Sequence, residues 1–341
     1  MPATLRRLIS QLDRRQRLAF LTVMGALIAG PAFLDRYLLS IMILVFWYAA
    51  VGQAWNIMMG FCGQLSLGHC LYSGIGGYVA ALLWVNYGIA PWLAAVPAMV
   101  IACTCGAVIG WLAFRYDISG VYFALLTIAF AEMARIAFDN WAGGGGGGAA
   151  GLFIPLMPAS DAGLWTLSGG PLQFYYLMLG LAIATFMAAA ALRASRLGHE
   201  WLAIREEPEA ARALGVDIFR AKLAAIIVSA AITSLAGVFY AFYQRNLFPS
   251  DAFDISRSIV MIMGPIVGGL GTLMGPAIGA VILTPLGQML IALSERLVGH
   301  AVPGASLLAY GLLLMVIIST NANGVWPGLS RRLGLARRAL R

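Results

Sequence analysis

The sequence predicts an all-α, polytopic integral membrane protein with about ten transmembrane helices and both termini in the cytoplasm. Three observations carry that prediction. The first is composition: 61% of the 341 residues are hydrophobic and 11% are charged, against roughly 45–50% and 25% in soluble domains. The second is layout, because Tyr37 to Phe114 is a run of 78 residues without one Asp, Glu, Lys or Arg. A water-soluble fold needs surface charge within such a length, so lipid is the solvent. The third is that Lys and Arg fall in the connections between apolar blocks, biased to one side.

A crossing helix needs about 20 apolar residues, each adding about 1.5 Å across a hydrocarbon core of about 30 Å. That ruler places spans at 18–34, 37–59, 66–86, 90–114, 120–138, 172–192, 223–243, 258–275, 276–294 and 304–320. The first follows a basic N-terminal segment, 1–17, as a signal peptide would. It is read as a retained helix, because no small-residue cleavage site precedes Asp35 and Arg36 and a second long span begins at once. The transmembrane domain is then 18–320, followed by a basic C-terminal segment, 321–341.

Orientation follows from the basic residues. Arg6, Arg7, Arg14, Arg15 and Arg17 precede the first span, Arg115 follows the fourth, six lie in 193–222, and Arg331, Arg332, Arg337, Arg338 and Arg341 close the chain. With six spans before 193–222 and four after it, these 17 share one side, and Arg36, Arg245, Arg257 and Arg296 take the other. The positive-inside rule makes the basic side cytoplasmic. This layout also disposes of the nucleic-acid reading invited by a net charge of +8, which would need a basic patch interleaved with exposed aromatics on a folded module. Cys62, Cys70, Cys103 and Cys105 lie in or beside apolar segments without CxxC spacing, and read as small core hydrophobes rather than a metal site.

Two connections are long. The outer one, 139–171, holds six consecutive glycines, Gly143 to Gly148, with Trp141 and Trp165 as interfacial aromatics. The inner one, 193–222, is densely charged. Its centre, Pro208-Glu-Ala-Ala-Arg-Ala-Leu214-Gly215, carries the signs of a short helix: proline at the first position, Glu209 and Arg212 complementing the dipole, and a glycine for the left-handed cap. Seven residues are marginal alone. They are either a solvated loop or a docking element whose alanines form a narrow face.

The spacing Glu-Ala-Ala-x-x-x-Gly resembles the cytoplasmic coupling motif of ABC importer permeases, with Glu209, Ala210, Ala211 and Gly215 on the pattern. The segment Gly60-Phe-Cys-Gly-Gln64-Leu-Ser66-Leu-Gly68-His69, continuing into Gly74-Ile-Gly-Gly-Tyr78, is similar to the signature of LivM-type permeases for branched-chain amino acids. Tyr122 to Glu132, the run Ala203-Ile-Arg-Glu-Glu and Gly268-Gly-Leu-Gly271-Thr-Leu-Met-Gly275-Pro276 are similar to it too. Together they cover most of residues 40–285, and the six-glycine run departs from the mixed Thr-Gly-Gly-Ser-type turn usual in related chains. The resemblance implies an ATP-driven importer working by alternating access: this permease, a second related permease, two ATPase subunits and a periplasmic binding protein in the bacterial inner membrane. Pro208 to Leu214 would dock into the ATPase, and the cargo would be branched-chain amino acids, or urea or a short amide as in other members of the superfamily.

No Gly-Lys-Ser/Thr loop is present, since the single lysine, Lys222, follows an alanine, so ATP would be hydrolysed on a separate polypeptide. HExxH and GxSxG are absent and His69, His199 and His300 are dispersed, which leaves an intramembrane enzyme without a nominated nucleophile and no cofactor implied. An ATP-independent channel or ion-coupled carrier would leave the Glu209–Gly215 motif unexplained. The candidate pathway residues are Gln64, Ser66, His69, Glu132 and Arg135. Glu132 and Arg135 share a helix face and would cost about 2.5–3.5 kcal/mol each at the bilayer centre, as a substrate contact or a structural salt bridge. Gln64 and Ser66 stand among glycines that mark either a discontinuous helix or close packing; His69 reads as a hydrogen-bonded interior histidine.

Overall fold

The computed structural model describes residues 14–141, 143, 145–155, 163–298, 300, 304–320 and 324–332. Arg6, Arg7, Arg337, Arg338 and Arg341 lie outside the described residues. The helices are α1 (Arg14–Ala29), α2 (Arg36–Trp55, continued by a π-helical turn Asn56–Phe61), α3 (His69–Tyr87), α4 (Pro91–Arg115), α5 (Gly120–Asp139), α6 (Pro171–Arg193), α7 (Arg196–Glu206), α8 (Pro208–Ala213), α9 (Ile218–Gln244), α10 (Pro249–Ala252), α11 (Ile255–Gly268), α12 (Gly275–Val298), α13 (Ala305–Thr320) and α14 (Val325–Arg332). Their starts follow from capping chemistry. Asp35 accepts from Leu38 N at 2.8 Å to open α2, Asp217 accepts from Arg220 N at 3.0 Å to open α9, and prolines open α4, α6, α8 and α10. A two-residue ribbon, β1 (Leu152–Phe153) with β2 (Asn246–Leu247), ties the loop after α5 to the end of α9.

The chain is a multi-pass, all-α membrane protein. Among the described residues six helices are long and apolar enough to cross a bilayer: Arg36–Phe61, Pro91–Arg115, Gly120–Asp139, Pro171–Arg193, Ile218–Gln244 and Gly275–Arg296. The remaining apolar stretches form α1, α3, α11 and α13. Two of them depart from a simple span. Residues 66–68 are not helical, so α3 begins at His69. The stretch expected as 258–275 is a 14-residue α11, about 21 Å long, followed by a non-helical turn. Gly269 and Gly271 there have φ of +130° and +74°, conformations an L side chain resists, and the helix ends at Gly268, before the end of the apolar run.

Packing is inverted relative to a soluble bundle. On α4, Ala94, Ala98 and Ala102 are fully buried while Leu93, Val96 and Val100 are exposed, as expected where lipid takes the large side chains and close helix approach needs small ones. α9 is central, lying against α2, α3 and α4, while α2 also packs on α6 and α12. The crossing of α3 and α9 is a reciprocal fit in which a Cβ on Gly76 would strike Ser234 backbone and one on Gly237 would strike Ser73 backbone. Trp47 Nε1 donates to Ala236 O at 2.9 Å and fixes α2 against the same helix. At the end of the bundle that carries α7 and α8, a separate apolar cluster joins Trp201, Ile204 and Ala211 to Ile57, Phe61, Ala189 and Ala225.

Candidate functional site

α8 is a six-residue helix held by its neighbours rather than by its own length. Glu207, extended at φ −155°, precedes Pro208, and Gly215 takes φ +85° past the other end. Inside that turn Ala211 is buried against the Trp201 cluster, its carbonyl accepts from Val216 N at 3.1 Å, and Trp201 Nε1 donates to Ala221 O at 2.7 Å. Everything else faces out. Pro208, Glu209, Ala210, Arg212 and Gly215 are exposed, Glu209 pairs with Arg212 at 3.3 Å, and Leu214 is 83% exposed.

Behind α8, one side chain joins the three glycine and charge motifs. Arg205, in the last turn of α7, donates through a guanidinium nitrogen to Gly60 O. Asn56, at the start of the π turn, accepts from Gly271 N at 2.8 Å through Oδ1 and donates to Thr272 O at 2.9 Å through Nδ2. Space here is used up: a Cβ on Gly60 would overlap the Asn56 amide, and one on Gly271 would overlap the Arg205 guanidinium. Gly63, at φ +75°, lies against the Arg205 stem, 3.4 Å from Cγ to the position of an added Cβ. α7 is therefore fastened to the loops at both glycine breaks, 60–68 and 269–274, while carrying α8 on its other side.

Gln64, Ser66 and His69 are all buried. Gln64 Nε2 donates to Cys62 O at 3.2 Å, and Ser66 O accepts from Trp55 Nε1 at 2.8 Å. Ser229 Oγ donates its single proton to Ala54 O at 2.8 Å, so His69 Nε2, 2.8 Å away, is the donor of that pair. Nδ1 then accepts from Ser66 Oγ at 3.4 Å. The histidine thus ties α3 to α9 and, through Ser229, to α2. Glu132 and Arg135 do pair, with Nε 3.0 Å from each carboxylate oxygen, and Arg135 NH1 reaches Asp139 at 2.7 Å. All three residues belong to α5, so the bridge does not clamp one helix to another, and their side chains stay 23–40% exposed. Gln64 stands near the α8 end, bonded to Cys62 of the Trp201 and Ala211 cluster and next to Gly63, which lies against Arg205, whereas the structure does not bring Glu132 and Arg135 there.

The family described as branched-chain amino acid transport system / permease component matches residues 37–318. The chain belongs to this family. It is 26% identical over 332 residues to the high-affinity branched-chain amino acid transport system permease protein LivM of Salmonella typhimurium and, to the same extent, of Escherichia coli K12, covering 92% of this chain and 75% of each relative. It is 24% identical over 248 residues to the high-affinity branched-chain amino acid transport system permease protein LivH of Escherichia coli K12, covering 69% of this chain and 79% of the relative. No solved structure matches the chain. The protein is the multi-pass inner-membrane permease subunit of an ABC importer.

Within this permease, four residues with clear structural work escape a reading of motifs alone. Asn56 and Ser229 are buried polar residues inside apolar helices, and their partners lie far away in sequence, Asn56 on Gly271 and Thr272 and Ser229 on Ala54 and His69. Asp139 stands four residues after Arg135 and completes its ion pairing, an i,i+4 relation legible in principle. Leu214 lies inside the segment Pro208 to Gly215 but is not one of the positions that carry its resemblance. Arg257, counted among the loop cations, is the third residue of α11.

Proposed function

We propose that this subunit translocates branched-chain amino acids by alternating access, in complex with a second related permease, two ATPase subunits and a periplasmic binding protein. Ten membrane-spanning segments with both termini cytoplasmic complete the reading, supported by the even span count on each side of 193–222 and by the bias of basic residues. The observation that carries it is the joint geometry of α8 and Arg205. α8 presents Glu209, Ala210 and Leu214 outward, while α7 behind it is bonded to Gly60 and lies against Gly271. An ATPase that grips α8 moves α7 as it closes, and Arg205 carries that displacement into the breaks before α3 and after α11. Those breaks are where short helices can tilt without unwinding a long one. Pro208, Glu209, Ala210, Ala211 and Gly215 form the coupling element in this reading, and Gln64, Ser66, His69, Glu132 and Arg135 border the path that opens.

The cargo is taken from the family and from the relatives' printed descriptions. The test is gentle purification from native membranes followed by reconstitution. Two ATPases, a second permease and a binding protein are expected to co-purify, and leucine uptake is expected only with ATP. Leucine uptake without ATP overturns the coupling, and ATP-driven uptake of urea in place of leucine overturns the cargo.

A further inference from the structure

Arg257 is an arginine that uses little of its hydrogen-bonding capacity among the described residues. Its guanidinium lies 5.1 Å from the centre of the Tyr240 ring, and its side chain is 19% exposed. Tyr240 stacks on Trp47 at 4.4 Å, and Tyr48 meets Trp47 edge-on at 4.8 Å, so the cation rests on a continuous aromatic platform. Guanidinium offers five N–H donors. Among the described residues one side-chain hydrogen bond engages them, to Asp251 Oδ2 at the long distance of 3.5 Å, and that carboxylate is itself 71% exposed.

The contrast with Arg135 is informative. That arginine lies on α5, the helix against which α10 packs, and its fork is filled by Glu132 and Asp139 at 2.7–3.0 Å. A cation with open donors and little exposure is expensive to keep inside a membrane protein, and four open N–H groups need an acceptor. Position agrees with a site that loads from outside. Tyr240 is four residues from the end of α9, about 6 Å, at the end of the bundle opposite α8. Ser258, next to Arg257, accepts from Cys70 N at 2.8 Å and sets this turn of α11 against the first turn of α3.

We propose that Arg257 and Asp251 form a head-group site for a zwitterionic α-amino acid, entered from the periplasmic mouth. The cargo carboxylate takes the open face of the Arg257 fork in a bidentate pair, and its ammonium replaces the guanidinium as the partner of Asp251. The apolar side chain of the cargo lies along Tyr48 and Tyr240. The stretched ion pair is close enough to keep both charges oriented and weak enough to yield to the cargo. This inference rests on the amino-acid cargo proposed above.

The experiment is leucine uptake by the whole importer in proteoliposomes with saturating loaded binding protein, comparing wild type, Arg257→Gln, Arg257→Lys, Asp251→Asn and the exchanged pair Asp251→Arg/Arg257→Asp. Arg257→Gln is expected to lower uptake about tenfold or more and Arg257→Lys by a smaller factor, since lysine keeps the charge but not the fork. The exchanged pair is expected to stay as low as the single variants. Restoration by the exchange would show a purely structural ion pair and overturn the proposal. Where Arg257→Gln fails to assemble with the ATPases, Arg257→Lys decides: reduced uptake supports the site and wild-type uptake overturns it. Failure of the wild-type complex to carry leucine at all overturns the cargo reading instead, so the two failures are distinguishable.

Discussion

Arg205 and Arg257 stand at opposite ends of the same bundle and are used in opposite ways. Arg205 donates to the Gly60 carbonyl in a corner where Gly60 and Gly271 leave no room for a Cβ. Arg257 leans on the ring of Tyr240 with one ion pair stretched to 3.5 Å. Both are long side chains ending in the same fork. What differs is the setting: among the described residues, Arg205 is an exposed residue whose one bond goes to a main-chain carbonyl, whereas Arg257 is largely buried against an aromatic ring and its one hydrogen-bond partner is an exposed carboxylate. A part that transmits displacement is useful only if it does not give, which favours fixed carbonyls and crowded glycines. A part that receives and releases cargo must exchange partners, which favours an ion pair of marginal geometry. In the mechanism proposed above, the α8 end is a joint and the opposite end a receptor.

Breaking the joint from outside has the largest expected effect. Glu209→Arg, which reverses the charge on the exposed face of α8, is expected to abolish leucine uptake and lower ATPase recovery in co-purification about tenfold or more, as loss of a docking hot spot does. Normal recovery with normal uptake would remove α8 from the coupling. Breaking it from within is the next step down: Gly271→Ala puts a methyl where the guanidinium of Arg205 lies, at a φ of +74°. The left-handed conformation alone costs about 1–2 kcal/mol for an L residue, and uptake is expected to fall severalfold while the ATPases still co-purify.

His69→Ala probes the region between the two ends. Removing the ring leaves Ser229 its bond to Ala54 but strips the link from α3 to α9. A loss of about 1–3 kcal/mol of stability is expected, read as a lower Tm in detergent, with uptake per assembled complex nearly unchanged. A selective loss of uptake at unchanged Tm would give His69 a direct contact with the cargo, beyond the packing role with which it borders the path. The smallest effect is expected from Glu132→Gln, since Arg135 keeps Asp139 at 2.7 Å and partly exposed ion pairs within one helix contribute little. Uptake is expected to stay within about twofold of wild type. A tenfold loss would make α5, rather than Arg257, the place where cargo is held.

The membrane class was legible because it depends only on apolar length and the placement of charge, both linear properties. The helix at Pro208–Ala213 was legible too, since its proline start and left-handed Gly215 are local signals. Two spans were drawn too simply. Hydropathy does not distinguish an apolar helix from an apolar turn, and so it joined Gly269–Met274 to α11 and residues 66–68 to α3. Arg205 and Gly60 are 145 positions apart, and its acceptor is a main-chain carbonyl, which no side-chain pattern marks. Arg257 was assigned to a loop because a cation beside an apolar run ordinarily ends it. Here Asp254 caps the helix three residues earlier, accepting from Ser256 N at 3.0 Å, and carries the arginine inside.

The central claim is that force on α8 reaches the transport path through Arg205. It is tested most directly by measuring leucine uptake and ATP hydrolysis together, in the same proteoliposomes, for wild type and Arg205→Ala. The account predicts ATP-dependent uptake for wild type, and for the variant continued hydrolysis with leucine uptake per ATP reduced about tenfold or more. Wild-type uptake per ATP in the variant would contradict it.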